Sequence, residues 1–214
     1  MGKEEISMGK DIRKLSEFEY GALKEIGNIG MGNSATSLSK LTNTTVHANI
    51  LGAGFELIEN IPKITGTSDS LVMGTFMHIK KELNGYILIF FPEDSARNLC
   101  QAVTGEGEIN LADRINRSVI EEVSHILAGT YISSLADFLH MDVSISTPYN
   151  AYDMLGSILN YVLTEMCCKA DLALILDSEF LVKENKIEGI FVTLFDPFSL
   201  DQLLEKINQM LNRP

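Results

Sequence analysis

The sequence repeats itself weakly at an offset of 97 residues, and this repeat limits the possible folds more than any other feature. Glu25 is followed at that distance by Glu122, and Gly32 by Gly129. In both copies a helical apolar pattern gives way to a strand pattern at the same point. The repeat predicts an internal duplication of a helix-then-strands unit. Its other matched pairs are Ile29 and Ile126, Ser37 and Ser134, Leu38 and Leu135, and Val46 and Val143.

Two long helices are predicted, one opening each copy, over about Glu17–Leu41 and Leu111–Leu139. Ser16 and Glu19 form a capping-box pattern at the start of the first helix. The second half of this helix is rich in Gly, Ser and Ala, which allows close approach to a neighbouring helix.

Strand patterns follow each long helix. Asn84-Gly85 predicts the turn of an antiparallel hairpin. The predicted strands are Thr44–Ile50, Leu71–Lys80, Gly85–Phe91, Asp142–Ser146, Asp171–Leu181 and Lys186–Phe195. The shorter predicted helices are Pro92–Val103, Ala151–Glu165 and Ser199–Leu211.

These elements together predict an α+β fold that is internally duplicated and pseudo-two-fold. Its two long helices pack on a mostly antiparallel β-sheet. We expect a single domain over residues 1–214, with repeat halves at about 16–108 and 111–214.

The charge balance excludes several classes of function. The chain has 17 basic and 29 acidic residues, a net charge of −12, so a nucleic-acid binder or a protein docked on an anionic membrane is not expected. No apolar run reaches the length of a membrane span, and the charged N-terminus does not resemble a signal peptide. Cys100, Cys167 and Cys168 fit neither a disulfide framework nor a zinc site. We therefore expect a cytoplasmic protein with no membrane insertion.

A glycine-rich stretch, Gly30–Ala35, formally fits the dinucleotide-binding pattern G-x-G-x-x-A. That motif requires a preceding strand, whereas residues 20–26 have a helical pattern. Gly52 and Gly54 also interrupt the second strand that the motif would need. A dinucleotide site is therefore not expected.

A polar pair occupies the same place in each long helix. Glu25 and Asn28 are three residues apart and share a helix face, and Glu122 and His125 repeat the arrangement. Each pair alone is typical of a solvated helix face. Because a solvated face has no reason to repeat a pair in register, the duplication favours a functional role.

The segments that begin at Glu25 and Glu122 resemble the two motifs of the CheC family, which includes CheX and FliY. The family pattern is Asp or Ser, three residues, Glu, two residues, Asn, twenty-two residues, Pro. In the first copy Glu25 and Asn28 match, but Gly21 and Leu51 replace the first and last positions. The second copy matches at three positions and has His125 in place of Asn; the matching residues are Ser118, Glu122 and Pro148.

The resemblance implies a chemotaxis phosphatase, a hydrolase of two-component signalling that acts on the phosphorylated response regulator CheY. Asn28 would orient the hydrolytic water, and Glu25 would bind a lysine of the regulator. Glu122 and His125 would form the second catalytic site, and Ser118 and Pro148 would bind the partner there. His125 is either a water-orienting group or a residue of a decayed site. The resemblance implies no metal or cofactor for this chain, since Mg²⁺ would be held by the regulator.

The stretch after Pro148 resembles the helix with which CheC-type proteins bind the receptor deamidase CheD. Asp153 and Met154 are its clearest matches, although an amphipathic core helix would have the same apolar spacing.

Two alternatives to a phosphatase remain. One is a CheC-like binding module for CheY or CheD that hydrolyses little. The other is a structural part of a flagellar switch. The absence of an extra switch domain in these 214 residues argues against this alternative.

Overall fold

The computed structural model describes residues 15–43, 45–61, 71–165, 172–182 and 185–211. Within them lie five α-helices and seven strands. The helices are α1 (Glu17–Thr42), α2 (Glu93–Thr104), α3 (Arg114–Leu139), α4 (Leu155–Glu165) and α5 (Pro197–Leu211). The strands are β1 (Val46–Leu57), β2 (Leu71–Lys81), β3 (Gly85–Pro92), β4 (Val143–Ile145), β5 (Tyr149–Met154), β6 (Leu172–Val182) and β7 (Asn185–Phe195).

The strands form one sheet in the order β1-β6-β7-β3-β2-β4, and β5 also pairs with β2. All of the pairings between described strands are antiparallel, which confirms the predicted α+β class and sheet type. β1 precedes the hairpin β2–β3 in the chain but pairs with β6, whereas β4 and β5 pair with β2. Each half therefore completes the sheet of the other. A two-fold relation would produce this exchange, and superposition of the halves stays a prediction.

The two long helices each have 26 residues. The capping box of α1 is confirmed, because Ser16 Oγ accepts from the Glu19 N–H at 3.2 Å while Glu19 Oε2 accepts from the Ser16 N–H at 2.8 Å. Both helices end at a residue in the left-handed conformation, Asn43 after α1 and His140 after α3. α1 and α3 pack directly against each other.

Helices cover both faces of the sheet. α1, α2, α3 and α5 bury their apolar sides in one large core, which includes Leu23, Tyr131 and Phe191. α4 covers part of the opposite face, where Ile158 and Leu159 pack in a smaller cluster. None of the helices in the described part of the chain combines the length and apolar character that crossing a bilayer requires.

The predicted hairpin at Asn84-Gly85 is confirmed, since β2 and β3 pair in antiparallel register. Gly85 is required there for a steric reason. A Cβ at this position would stand 2.1 Å from the carbonyl oxygen of Leu194 in β7. The glycine-rich stretch Gly30–Ala35 lies inside α1, so it does not form the loop of a dinucleotide site.

Two predicted boundaries near the candidate sites were wrong. The first strand was expected to end at Ile50, but β1 continues to Leu57 because its residues up to that point pair with β6. Gly52 and Gly54 therefore do not interrupt it. The helix predicted from Ala151 begins at Leu155, because the preceding residues pair with β2 as β5. The starting residues of two predicted strands, Thr44 and Asp171, lie outside the described residues.

Smaller differences affect the remaining helices. α3 starts at Arg114 instead of Leu111, because the Asp113 N–H donates to the Asn110 carbonyl at 3.0 Å in a preceding turn. α2 and α5 lie within two residues of their predicted starts.

Candidate functional site

Glu25 and Asn28 lie side by side on the outer face of α1. Both side chains are exposed, while Leu23 and Ile26 on the inner side of the same turns are buried. This arrangement follows from helical periodicity, which places residues three apart on one face. Glu25 has no hydrogen bond or ion pair with any described residue. Its neighbour Lys24 instead lies over the ring of Tyr20, with Nζ 5.9 Å from the ring centroid.

The amide of Asn28 is tied to the edge of the sheet. Its Oδ1 accepts the backbone N–H of Ile50 in β1 at 3.3 Å. Gly27 makes this approach possible, because a Cβ there would stand only 2.9 Å from Cγ1 of Ile50. Asn28 is therefore an exposed residue with one fixed atom.

β1 has an irregularity next to this bond. Its register with β6 shifts between Ile50 and Gly52, and the intervening Leu51 is 60% exposed. Ile50 packs in the large core before the shift and Phe55 packs against the same core after it. The inward-facing positions thus change from even to odd numbers, as a β-bulge requires. Leu51, which replaces the proline of the family pattern, occupies this bulge beside Asn28.

The second pair lies on α3. Glu122 and His125 are exposed, as is Ser118 one turn earlier. None of these three side chains has a hydrogen bond to a described residue. Pro148 is partly buried and stands between β4 and β5, at the point that corresponds to the Leu51 bulge. The second copy therefore interrupts the strand where the first copy bulges, and it has no counterpart of the Asn28–Ile50 bond in the part of the chain that is described.

Asp153 and Met154 lie at the end of β5 and not on a helix, so this part of the prediction was wrong. Asp153 Oδ1 accepts the backbone N–H of Met154 at 2.7 Å, just before α4 begins. Met154 is 49% exposed. The apolar spacing after Leu155 is helical, as predicted, but the four residues before it pair with β2.

An aromatic groove that the sequence did not reveal lies beside Asp153. Phe76, Tyr149 and Tyr161 pack together, with ring centroids 4.9 Å apart for Phe76–Tyr149 and 5.5 Å for Phe76–Tyr161. The groove has a volume of about 190 Å³ and also includes Ser157. Its members come from β2, β5 and α4, so no local sequence pattern could have predicted it.

Metal ligands do not converge at either pair in the described part of the chain. Among the described residues, no group of three or more His, Cys, Asp or Glu side chains could hold a metal ion. A carboxyl group with a lowered pKa lies elsewhere, at Glu93, where a hydrogen bond from Arg97 favours the charged form. The α1 site therefore presents one carboxylate and one fixed amide, and both are accessible to a docking protein.

The chain is similar in sequence to known proteins. Residues 21–47 match the model of the CheC-like family, and this segment contains Glu25 and Asn28. The CheY-P phosphatase CheC of Bacillus subtilis (strain 168) is 24% identical over 178 residues, which is 81% of this chain and 85% of that protein. The flagellar motor switch phosphatase FliY of the same organism is 27% identical over 142 residues, 64% of this chain but 36% of that protein.

The fold is likewise similar to solved structures. The crystal structure of Thermotoga maritima FliY matches with a TM-score of 0.73 at 18% identity, over 91% of this chain and 98% of that one. The resemblance to the CheC family is thus confirmed at the level of sequence similarity, and the fold is similar to that of FliY.

Proposed function

We propose that this chain is a chemotaxis phosphatase that hydrolyses the aspartyl phosphate of a CheY-type response regulator. The observation that carries the proposal is the exposed Glu25–Asn28 pair, which lies in the segment matched by the CheC-like family model. The relative named a CheY-P phosphatase, which covers most of the chain, supports the same substrate.

The chemistry requires little of this chain beyond positioning. Water attacks the phosphorus atom in line, and the bond from phosphorus to the aspartyl oxygen breaks. The products are inorganic phosphate and the free aspartate carboxylate of the regulator. Phosphoryl transfer of this kind is accelerated mainly by orientation and charge stabilisation. Asn28 supplies a neutral amide at the exposed end of this site, where it can hydrogen-bond the water or the phosphoryl group without adding charge.

Glu25 serves to dock the regulator in register. Its carboxylate has no partner among the described residues, so it is available for a charge-assisted hydrogen bond to a lysine of the regulator. The Mg²⁺ that the reaction needs belongs to the regulator in this proposal. A cytoplasmic location is part of the same proposal.

The alternative function is a CheC-like binding module for CheY or CheD that hydrolyses little, and the second copy favours it. His125 is exposed and stands where the family pattern has Asn, while Glu122 and Ser118 keep the docking positions. This copy would bind the regulator and hydrolyse little. Asp153 and Met154, exposed at the end of β5, are in the same way the proposed contacts for CheD.

Phosphate release under single-turnover conditions tests the proposal. We expect Asn28→Ala to lower the rate about 100-fold, equivalent to about 2.7 kcal/mol, while binding of the regulator with a stable phosphoryl analogue persists. Asn33→Ala is the matched control, since Asn33 is an exposed asparagine on the same helix, about 140° around its axis from Asn28. A parent protein that releases no phosphate, or an Asn28→Ala variant as active as the parent, would contradict the proposal.

A further inference from the structure

The hydrogen bond between Asn28 and Ile50 fixes which atom of the amide faces the solvent. The Ile50 N–H is a donor and can be met only by Oδ1, because the Nδ2 group has donors alone. The bond of 3.3 Å therefore orients Oδ1 toward β1 and leaves the two N–H bonds of Nδ2 free. No other hydrogen bond to Asn28 is present among the described residues.

This contact belongs to a wider attachment of α1 to the outer edge of the sheet. β1 is an edge strand, paired only with β6 among the described strands. Ser39 Oγ accepts the Val46 N–H at 2.9 Å, so two side chains of α1 bind N–H groups of β1 at positions four residues apart. The edge of β1 thus holds α1 at two points.

Gly27 sets the distance between α1 and this edge. Ile50 is only 4% exposed, and its Cγ1 would lie 2.9 Å from a Cβ at Gly27. A larger residue would force the Ile50 side chain, or the helix and strand themselves, to shift where the bond forms. The second copy has Ser124 in place of Gly27 and an interrupted strand in place of the bulge, and its described residues show no such bond.

We propose that Gly27 and the Ile50 N–H are positioning elements that hold the Asn28 amide with Nδ2 outward, so that Asn28 acts on the docked phosphoryl site as a hydrogen-bond donor. The inference rests on the proposed function and adds to it the orientation of the amide and the residues that enforce it. Fixing the amide before docking removes the need to order it during the reaction.

The Asn28→Asp variant keeps an acceptor for the Ile50 N–H and removes the Nδ2 donor that faces the partner. A carboxylate accepts the Ile50 N–H but offers no donor to the partner, so amide hydrogen exchange at Ile50 stays as slow as in the parent. Phosphate release at saturating regulator falls to the level of Asn28→Ala. Parent-like turnover in Asn28→Asp would overturn the assignment of Nδ2 as the acting atom.

Gly27→Ala tests whether the close spacing of α1 and β1 positions the Asn28 amide. We expect faster exchange of the Ile50 N–H and a fall of about 10- to 100-fold in single-turnover rate, with the concentration for half-maximal rate little changed. Gly32→Ala is the matched control, because Gly32 is an exposed glycine of α1 and a Cβ added there would have no neighbouring atom within 4 Å. Unchanged turnover in Gly27→Ala, together with faster Ile50 exchange, would overturn the positioning role.

The exchange measurement also keeps the two proposals apart. If the parent releases no phosphate, the proposed function fails and the positioning role fails with it, whatever Ile50 shows. If the parent is active and exchange at Ile50 is the same in Asn28→Ala and Asn33→Ala, the phosphatase proposal stands and the positioning proposal alone is wrong.

Discussion

Gly30 of α1 lies directly against the backbone of Tyr131 in α3. A Cβ at Gly30 would stand 2.8 Å from Cα of Tyr131 and 3.3 Å from its N atom. One turn further on, the hydroxyls of Ser34 and Thr130 hydrogen-bond to each other across the same interface. Because α1 carries one candidate site and α3 the other, this contact sets the spacing of the two sites.

Gly30→Ala should therefore destabilise the protein. The added methyl group meets backbone, which cannot rotate away, so we expect a loss of about 1–3 kcal/mol in the free energy of unfolding. Gly32→Ala on the same helix has open space and should instead add about 0.5–1 kcal/mol through helix propensity. Urea denaturation of both variants measures the difference. Equal free energies of unfolding for Gly30→Ala and Gly32→Ala would show that α1 and α3 can move apart at this contact without loss of stability.

Glu25→Gln should weaken binding as well as turnover. The variant keeps the size of the side chain and removes the charge, and a hydrogen bond to a charged group contributes about 1.5–3 kcal/mol. We expect an affinity loss of about 10- to 100-fold for the regulator bearing a phosphoryl analogue. The salt dependence of binding should also become shallower. Glu17→Gln removes an exposed carboxylate from the same helix and should leave the affinity close to that of the parent.

Substitutions at His125 show which of the two copies contributes more to the phosphate-release rate. His125→Ala should change the phosphate-release rate little, because the imidazole has no partner among the described residues and the first copy carries the amide. In the Asn28→Ala background, His125→Asn should restore part of the lost activity, since Ser118 and Glu122 already match the family pattern. The rate should remain below that of the parent, because none of the described backbone N–H groups holds the new amide in place. Loss of activity in His125→Ala alone would reverse the ranking.

The buried thiol of Cys100 should make stability depend on alkaline pH. Cys100 is 0% exposed, and burial raises the pKa of its thiol to about 11. The unfolded chain loses this proton from about pH 8.5, so the free energy of unfolding falls as pH rises through the interval up to about 11. Between about pH 8 and pH 10 we expect this group to account for a loss of about 1–2 kcal/mol. Urea denaturation of Cys100→Ala should show a correspondingly shallower decline, and an identical decline would exclude the thiol as its source.

Local sequence patterns were sufficient for most of the secondary structure. The capping box at Ser16 and Glu19, the hairpin at Asn84-Gly85 and the helical periodicity around Glu25 and Asn28 depend on neighbours within a few residues. Exposure of the Glu25–Asn28 pair follows from the same periodicity, since the apolar residues of those turns must face the core.

Other features depend on partners distant in the chain. β1 continues past Gly52 because β6, more than 100 residues later, supplies its hydrogen bonds. β5 is a strand because β2 pairs with it, although its sequence is equally compatible with the start of a helix. The aromatic groove of Phe76, Tyr149 and Tyr161 likewise forms only when three separate elements meet.

Helical geometry is local, so the order of amino acids alone places an acid and an amide on one exposed face of α1. The orientation of that amide depends instead on tertiary packing. The Ile50 N–H is 22 residues from Asn28, and it reaches Oδ1 because Gly27 allows the helix to lie against the edge strand. A backbone donor leaves no trace in the amino-acid sequence, so its position becomes known only when the strand is placed beside the helix.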